Sequence, residues 1–195
     1  QYSFQGRQAD MAESVGSLKL SFIFAVLGIY AMLAIPFKSY VLPLIVIVSI
    51  PFGIIGAIFG HLIMGYGLSI LSLLGIVALS GIVVNDSLVL ISQAVDLEQH
   101  QHLTPKEIIK TAAIQRFRPI ILTTLTTFGG LMPMILETSR QARILIPMAI
   151  SIGFGIVFAT LITLVLIPSL YLVINDCKKL WNSIRNASPE ALRKS

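Results

Sequence analysis

The residue best placed to do chemistry in this sequence is Asp86. It lies in Leu79-Ser80-Gly81-Ile82-Val83-Val84-Asn85-Asp86-Ser87-Leu88, inside an apolar run from 68 to 94, about 18 residues from one end and about eight from the other. A charged carboxylate at the centre of a bilayer costs at least about 2.5 kcal/mol on insertion scales, so such a group faces other helices, pairs or is protonated. Two readings stand side by side. Asp86 is a coupling or proton-handling site, since intramembrane carboxylates build proton relays, or it is a protonated acid that bonds a neighbouring helix. Asn85 and Ser87 flank it but point in other directions on a helix, so the triplet cannot build one site alone. Asn85 shares a face with Gly81, Ala78 and Ser92, a small and polar face suited to tight contact with another helix or to function.

A second polar group opens the run near 119. Arg116-Phe117-Arg118-Pro119 is followed by Ile120-Ile121-Leu122-Thr123-Thr124-Leu125-Thr126-Thr127. Thr123 and Thr127 are four apart and share a face, with Thr126 close by. Arg116 and Arg118 either mark a membrane interface or send one guanidinium inward to an acidic partner. His61, His100 and His102 are not placed to converge, so no metal site is expected. No phosphate loop, Ser/His/Asp order or Cys/His spacing is present, which argues against an ATP-driven motor or a hydrolase and calls for no cofactor.

These residues need elements to hold them, and composition says which. Of 195 residues, 55% are hydrophobic and 12% charged, against about 25% charged in ordinary soluble domains. Too little polar surface remains to cover a water-facing globule. The single cysteine, Cys177, allows no internal disulfide and reads as an inert thiol. Apolar runs lie at about 17–36, 41–64, 68–94, 119–136 and 144–175. About 20 helical residues cross a hydrocarbon core of about 30 Å, so the expectation is an all-α membrane protein with five transmembrane helices. Between the third and fourth runs, Thr104-Pro105-Lys106-Glu107 carries a cap residue, proline at the first helical position and Glu three after the cap. Ile108, Ile109, Ala112 and Ala113 follow on one face, predicting a short cytoplasmic interfacial helix over about 105–116.

Gly53, Gly56 and Gly60 fall on roughly one side of the second run, and with Gly81 they are the helix-packing candidates; a lipid or substrate groove is the alternative for the first three. Orientation follows from the basic residues of the links. One side would hold Lys38, Lys106, Lys110, Arg116, Arg118, Lys178, Lys179, Arg185, Arg193 and Lys194, and the other only Arg7, Lys19, Arg140 and Arg143. The net charge of +5 is thus explained by topology, not by nucleic acid. The C-terminus is expected in the cytoplasm and the N-terminus outside. Residues 1–16 read as the tail of an upstream part, 17–175 as the membrane domain and 176–195 as a cytoplasmic tail with Trp181 as an interface anchor.

Several of these strings carry a resemblance. Arg116-Phe117-Arg118-Pro119-Ile120-Ile121-Leu122-Thr123-Thr124 and Gly129-Gly130-Leu131-Met132-Pro133 resemble the penultimate transmembrane helix of resistance-nodulation-division (RND) efflux permeases. Leu79 to Asp86, continued by Ser87-Leu88-Val89-Leu90, resembles the helix before it. Pro51-Phe52-Gly53-Ile54-Ile55-Gly56-Ala57 and Ile167-Pro168-Ser169-Leu170-Tyr171 are similar too, so the likeness covers essentially the whole chain. It looks like the last five of twelve spans of an acriflavine-resistance-type permease, with residues 1–16 closing its second periplasmic porter region.

The resemblance implies a proton antiporter of drugs or other amphiphiles in the bacterial inner membrane, not an enzyme. It implies a homotrimer, the N-terminal part of the same permease as partner, and a periplasmic adaptor and outer-membrane channel. In the family an aspartate pair on the fourth span meets polar residues on the tenth and eleventh. Arg116 and Thr123 match the eleventh-span residues, while Asn85 falls where many drug pumps have a lysine. With that position neutral and the next one acidic, the proton-coupling candidates are Asp86, Asn85, Arg116 and Thr123. Rival readings are an RND branch with a metal, lipid or protein substrate, a free-standing membrane scaffold, and a membrane enzyme using Thr123 beside Asp86.

Overall fold

The computed structural model describes residues 2–100, 103–139 and 142–191, with side chains from Val15 to Leu180 within those ranges, Ala142 excepted. Six α-helices follow in chain order: α1 Tyr2–Phe37, α2 Leu42–Ile47, α3 Ile50–Met64, α4 Ile70–His100, α5 Pro105–Ile135 and α6 Ile146–Ala191, with a short 3-10 turn at Ala142–Ile144 before the last. No strand occurs among the described residues. In hydrocarbon every backbone polar group must be satisfied within the chain, and a helix does this residue by residue.

Val15–Phe37, Leu42–Met64, Ile70–His100 and Ile146–Leu180 are long and apolar enough to cross a membrane. α5, which holds the fourth of the five runs expected to span, is long enough but less apolar, because its threonines, Gly129-Gly130 and Arg118 dilute the run. Large apolar side chains face outward: Ile35 is 79% exposed, Leu62 71% and Ile63 70%. In water such a surface would aggregate, whereas against lipid tails it is solvated.

The second expected span is broken into α2 and α3. Pro51 has no N–H to give the Ile47 carbonyl, so the ladder stops there and restarts. The Ser49 hydroxyl donates back to the Val46 carbonyl at the break. α3 ends at Gly65, whose φ of 69° is left-handed and favours glycine.

One expectation changes. The interfacial helix over 105–116 is not a separate element but the first turns of α5, which runs on through Pro119. A proline within a helix removes one backbone bond, and neighbouring helices make that tolerable in a membrane protein. Its apolar face, Ile108, Ile109 and Ala112, is at most 3% exposed and packs into a core with Val46, Leu90, Ile91, Ala94 and Ile167, so it docks on the bundle rather than on lipid. Residues 2–16, read as the tail of an upstream part, form the first turns of α1. The capping box appears as expected: the Glu107 amide donates to Thr104 Oγ1 at 3.4 Å and the Thr104 amide donates to Glu107 Oε2 at 2.9 Å.

α6 is the hub, packing along α3, α4 and α5. Its approach to α3 depends on glycine. A Cβ on Gly56 would stand 2.4 Å from Phe158 Cβ, and one on Gly60 2.5 Å from Phe154 Cβ. A Cβ on Gly53 would meet Leu79 Cδ2 at 3.3 Å. Small residues of this kind let helix backbones approach where lipid supplies no hydrophobic drive. Phe154 then closes the next layer, edge-on to Phe128 of α5 with ring centroids 5.6 Å apart.

Candidate functional site

The centre of the bundle is polar where α4, α5 and α6 meet. Asp86 points inward from α4 and is 7% exposed. It lines a small cavity of about 10 Å³ together with Val83, Ile120, Ala159, Thr160 and Thr163. Asp86 Oδ2 is buried with no hydrogen-bond partner, and so is the hydroxyl of Thr163. Beside them Thr124 Oγ1 and Thr160 Oγ1 lie 2.8 Å apart, joining α5 to α6. Thr124 also donates to the carbonyl of Ile120 at 3.0 Å, so the hydrogen between the two hydroxyls comes from Thr160.

The residues flanking Asp86 go elsewhere. Ser87 is fully buried, donating to the Val83 carbonyl at 2.8 Å and meeting Ser49 Oγ at 3.0 Å, a bridge from α4 to the α2–α3 break. Asn85, about 100° around α4 from Asp86, is exposed. A Cβ on Gly81 would meet nothing within 4 Å, so Gly81, a packing candidate from sequence, packs against nothing within the described chain. Ala78, Gly81 and Asn85 form one uncovered face of α4.

α5 has a matching stripe. Pro119, Thr123, Thr126, Gly130 and Pro133 recur at helical spacing and all are exposed. Thr123 is not at Asp86; its hydroxyl donates back to the Pro119 carbonyl at 2.9 Å. Arg116 turns inward, and Nη2 donates to Gln93 Oε1 of α4 at 2.6 Å while Nε is buried without a partner. Its partner is therefore an amide, not an acid. Gln93 also donates to Gln115 Oε1 at 3.0 Å, closing a small junction between α4 and α5. Arg118 stays exposed.

The other candidates stand apart. His61 is buried, with Nδ1 2.9 Å from the Ala57 carbonyl. His100 is exposed beside Asp96, and His102 lies outside the described residues, as do Arg140 and the side chain of Trp181. Among the described residues no three His, Cys, Asp or Glu side chains gather as a metal site would require. Cys177 is an exposed free thiol.

Thr160, Thr163 and Gln93 escaped the reading of the sequence. The first two are three apart within the last apolar run, a spacing that puts both hydroxyls on one face. Threonines in membrane helices usually bond their own backbone, which hides this signal; Thr163 does not.

A polar centre inside an apolar helix bundle, holding one acid, belongs to a multi-pass membrane protein. The sequence model of the AcrB/AcrD/AcrF family matches residues 1–175, and the chain belongs to that family of RND permeases, which are transporters. In fold it is similar to a heavy metal efflux pump solved in two crystal forms. One form matches with a TM-score of 0.78 at 24% identity over 86% of this chain. The other matches with a TM-score of 0.70 at 22% identity over 89%. In both, the chain spans 16% of the length of the pump.

Proposed function

We propose that the chain is the C-terminal membrane portion of a proton-driven RND permease exporting drugs or other amphiphiles across the bacterial inner membrane. One observation carries this reading: an acid deep in a spanning helix, Asp86, is buried with an unpartnered carboxylate oxygen in a member of a transporter family. A carboxylate that costs this much to insert, with no cation against it, serves a proton better than it serves packing.

The uncovered stripes support the remainder. Lipid-facing surfaces are built of large apolar residues, yet Asn85 and Gly81 on α4, and Thr123, Thr126 and Gly130 on α5, are exposed and either small or polar. Small and hydroxyl-bearing faces in membranes meet other helices. The N-terminal half of the same permease, bearing its own acids, is the partner these faces fit. Asn85 and Thr123 would then contact that half, while Arg116 braces α4 against α5 through Gln93. The C-terminus lies in the cytoplasm, on the side richer in Lys and Arg. Homotrimeric assembly with a periplasmic adaptor and an outer-membrane channel belongs to the same reading.

The solved relative is a heavy metal pump by its title. Among the described residues the one buried acid, Asp86, is walled by threonines and aliphatic residues, a poor path for a soft or borderline metal. The complete permease, reconstituted in proteoliposomes with an imposed pH gradient, should move a lipophilic cation such as ethidium. Transport of zinc or copper ions alone would replace the amphiphile reading with the metal branch. Transport of neither, with a pH gradient that does not dissipate, would leave a membrane scaffold.

A further inference from the structure

We infer that the cavity between α4, α5 and α6 is a binding site for one water molecule that serves Asp86 from the interior of the bundle, with Thr163 and Thr160 as its positioning residues. The inference deepens the proton-handling reading above and rests on it for its role in transport, but its geometry is separate from the outward face bearing Asn85 and Thr123.

The size fits one occupant. A cavity must offer roughly 10–15 Å³ of space for a water's centre to hold one, and that water needs two to four polar partners. This cavity offers about 10 Å³. Three of its lining residues carry side-chain oxygens: Asp86 and Thr163, whose Oδ2 and Oγ1 are buried and unpartnered, and Thr160. Thr163 is 3% exposed and Thr160 4%, so neither reaches bulk solvent. Ca²⁺ and Mg²⁺ take six or more oxygens, and Zn²⁺ takes four ligands with Cys or His usually among them; one carboxylate and two hydroxyls match neither set.

The donor inventory fits as well. Thr160 spends its hydrogen on Thr124, so it offers the cavity only lone pairs. Thr163 has an unspent hydrogen and lone pairs. With Asp86 ionised, a water accepts from Thr163 and donates to Asp86 Oδ2 and Thr160. With Asp86 protonated on Oδ2, the carboxyl donates to the water, which donates to Thr160 and Thr163. In both charge states Asp86 Oδ2 and the Thr163 hydroxyl then each have a partner inside the bundle. Without the water, either state leaves buried polar atoms unmatched, at about 1–3 kcal/mol each.

No other ionisable side chain lines the cavity. On the packed helices the ionisable groups within the bundle are engaged elsewhere: Arg116 of α5 with Gln93, Tyr171 of α6 with Glu98, and His61 of α3 with the Ala57 carbonyl. α2 has none, and on α1 the described ones are Lys19, exposed, and Tyr30, which donates to the Tyr40 carbonyl.

The test is pH-induced infrared difference spectroscopy of the complete permease in lipid, recorded in H₂¹⁶O and H₂¹⁸O. A band from a confined water, shifted by the heavy oxygen, should accompany the Asp86 carboxyl signal. Asp86→Asn and Thr163→Val should each abolish it, while Thr163→Ser keeps it. A water band indifferent to Thr163→Val, or no isotope-shifted band at all in a folded wild type, overturns the inference. So does an Asp86 signal driven by added Na⁺ at constant pH, which would make this a metal-ion site. If export fails to depend on protons while the band behaves as described, the transport reading falls and the water site stands.

Discussion

Two sets of glycines divide this molecule. On α3, Gly56 and Gly60 lie against Phe158 and Phe154, with no room for a Cβ. On α4 and α5, Gly81, Gly129 and Gly130 have nothing within 4 Å of where a Cβ would be. The residue type is the same and its use is opposite. The first set closes the chain on itself through α6. The second marks a face that the chain does not cover. A bundle built only for itself would have no reason to leave small and polar residues facing lipid, so the comparison separates what holds this unit together from what it presents to a partner.

The largest effect should come from the filled set. Gly60→Leu forces bulk into the Phe154 ring and should cost about 3 kcal/mol or more, since overpacking typically costs about 1–3. Thermal unfolding in detergent would read it as a clear fall in Tm. A wild-type Tm would mean that α3 and α6 do not meet through these glycines.

Next is the junction that fixes α4 to α5 beside the open face. Arg116→Ala removes a bond from a charged donor and should cost about 1.5–3 kcal/mol. Arg118→Ala, on an exposed side chain, should stay within about 0.5 kcal/mol. Equal effects in the same unfolding assay would erase the distinction between the two arginines.

The open set should behave in reverse. Gly81→Ala and Gly130→Ala should leave stability unchanged or raise it by up to about 1 kcal/mol through helix propensity, yet export by the complete permease should fall. Stability gained with export intact would show that nothing docks on this face.

The smallest effect lies at the start of α5. Thr104→Ala should cost about 1 kcal/mol as a lost cap. Glu107, held below its ordinary value of 4.5 by its hydrogen bonds to Thr104, is the pH-sensitive part. Its folded pKa is depressed, so its contribution is present above 4.5 and is lost as pH falls through the folded value. Stability of the wild type relative to Thr104→Ala should therefore narrow below about pH 4.5. A constant gap would show that the Glu107 half of the box contributes nothing.

Much of this was legible in the sequence because the membrane leaves few choices. Run length picked out the four segments that are long and apolar enough to cross, and the cap signal placed the start of α5 at Pro105. The period of Gly53, Gly56 and Gly60 marked one packed face, though not which helix covers it. The continuity of α5 through Pro119 was not legible, since a proline after a polar segment reads as a boundary. The inward course of Asp86 was half legible. Its cost in lipid announced a buried acid, but its neighbours Thr160 and Thr163 lie more than 70 positions away in the chain. Pairing across that distance depends on α4 and α6 packing together, which helical period alone does not encode. Thr123, which only the membrane-enzyme reading put beside Asp86, turns outward because Thr124, one residue on, takes the inner position.

The most direct test is to measure proton-driven export by the complete permease carrying Asp86→Asn, reconstituted beside the wild type under the same pH gradient. The amide keeps the shape and loses the titratable group. Export and its coupled proton flux should fall to background in a protein that still melts cooperatively. Undiminished export with its proton dependence intact would show that Asp86 is a structural acid and that coupling lies elsewhere.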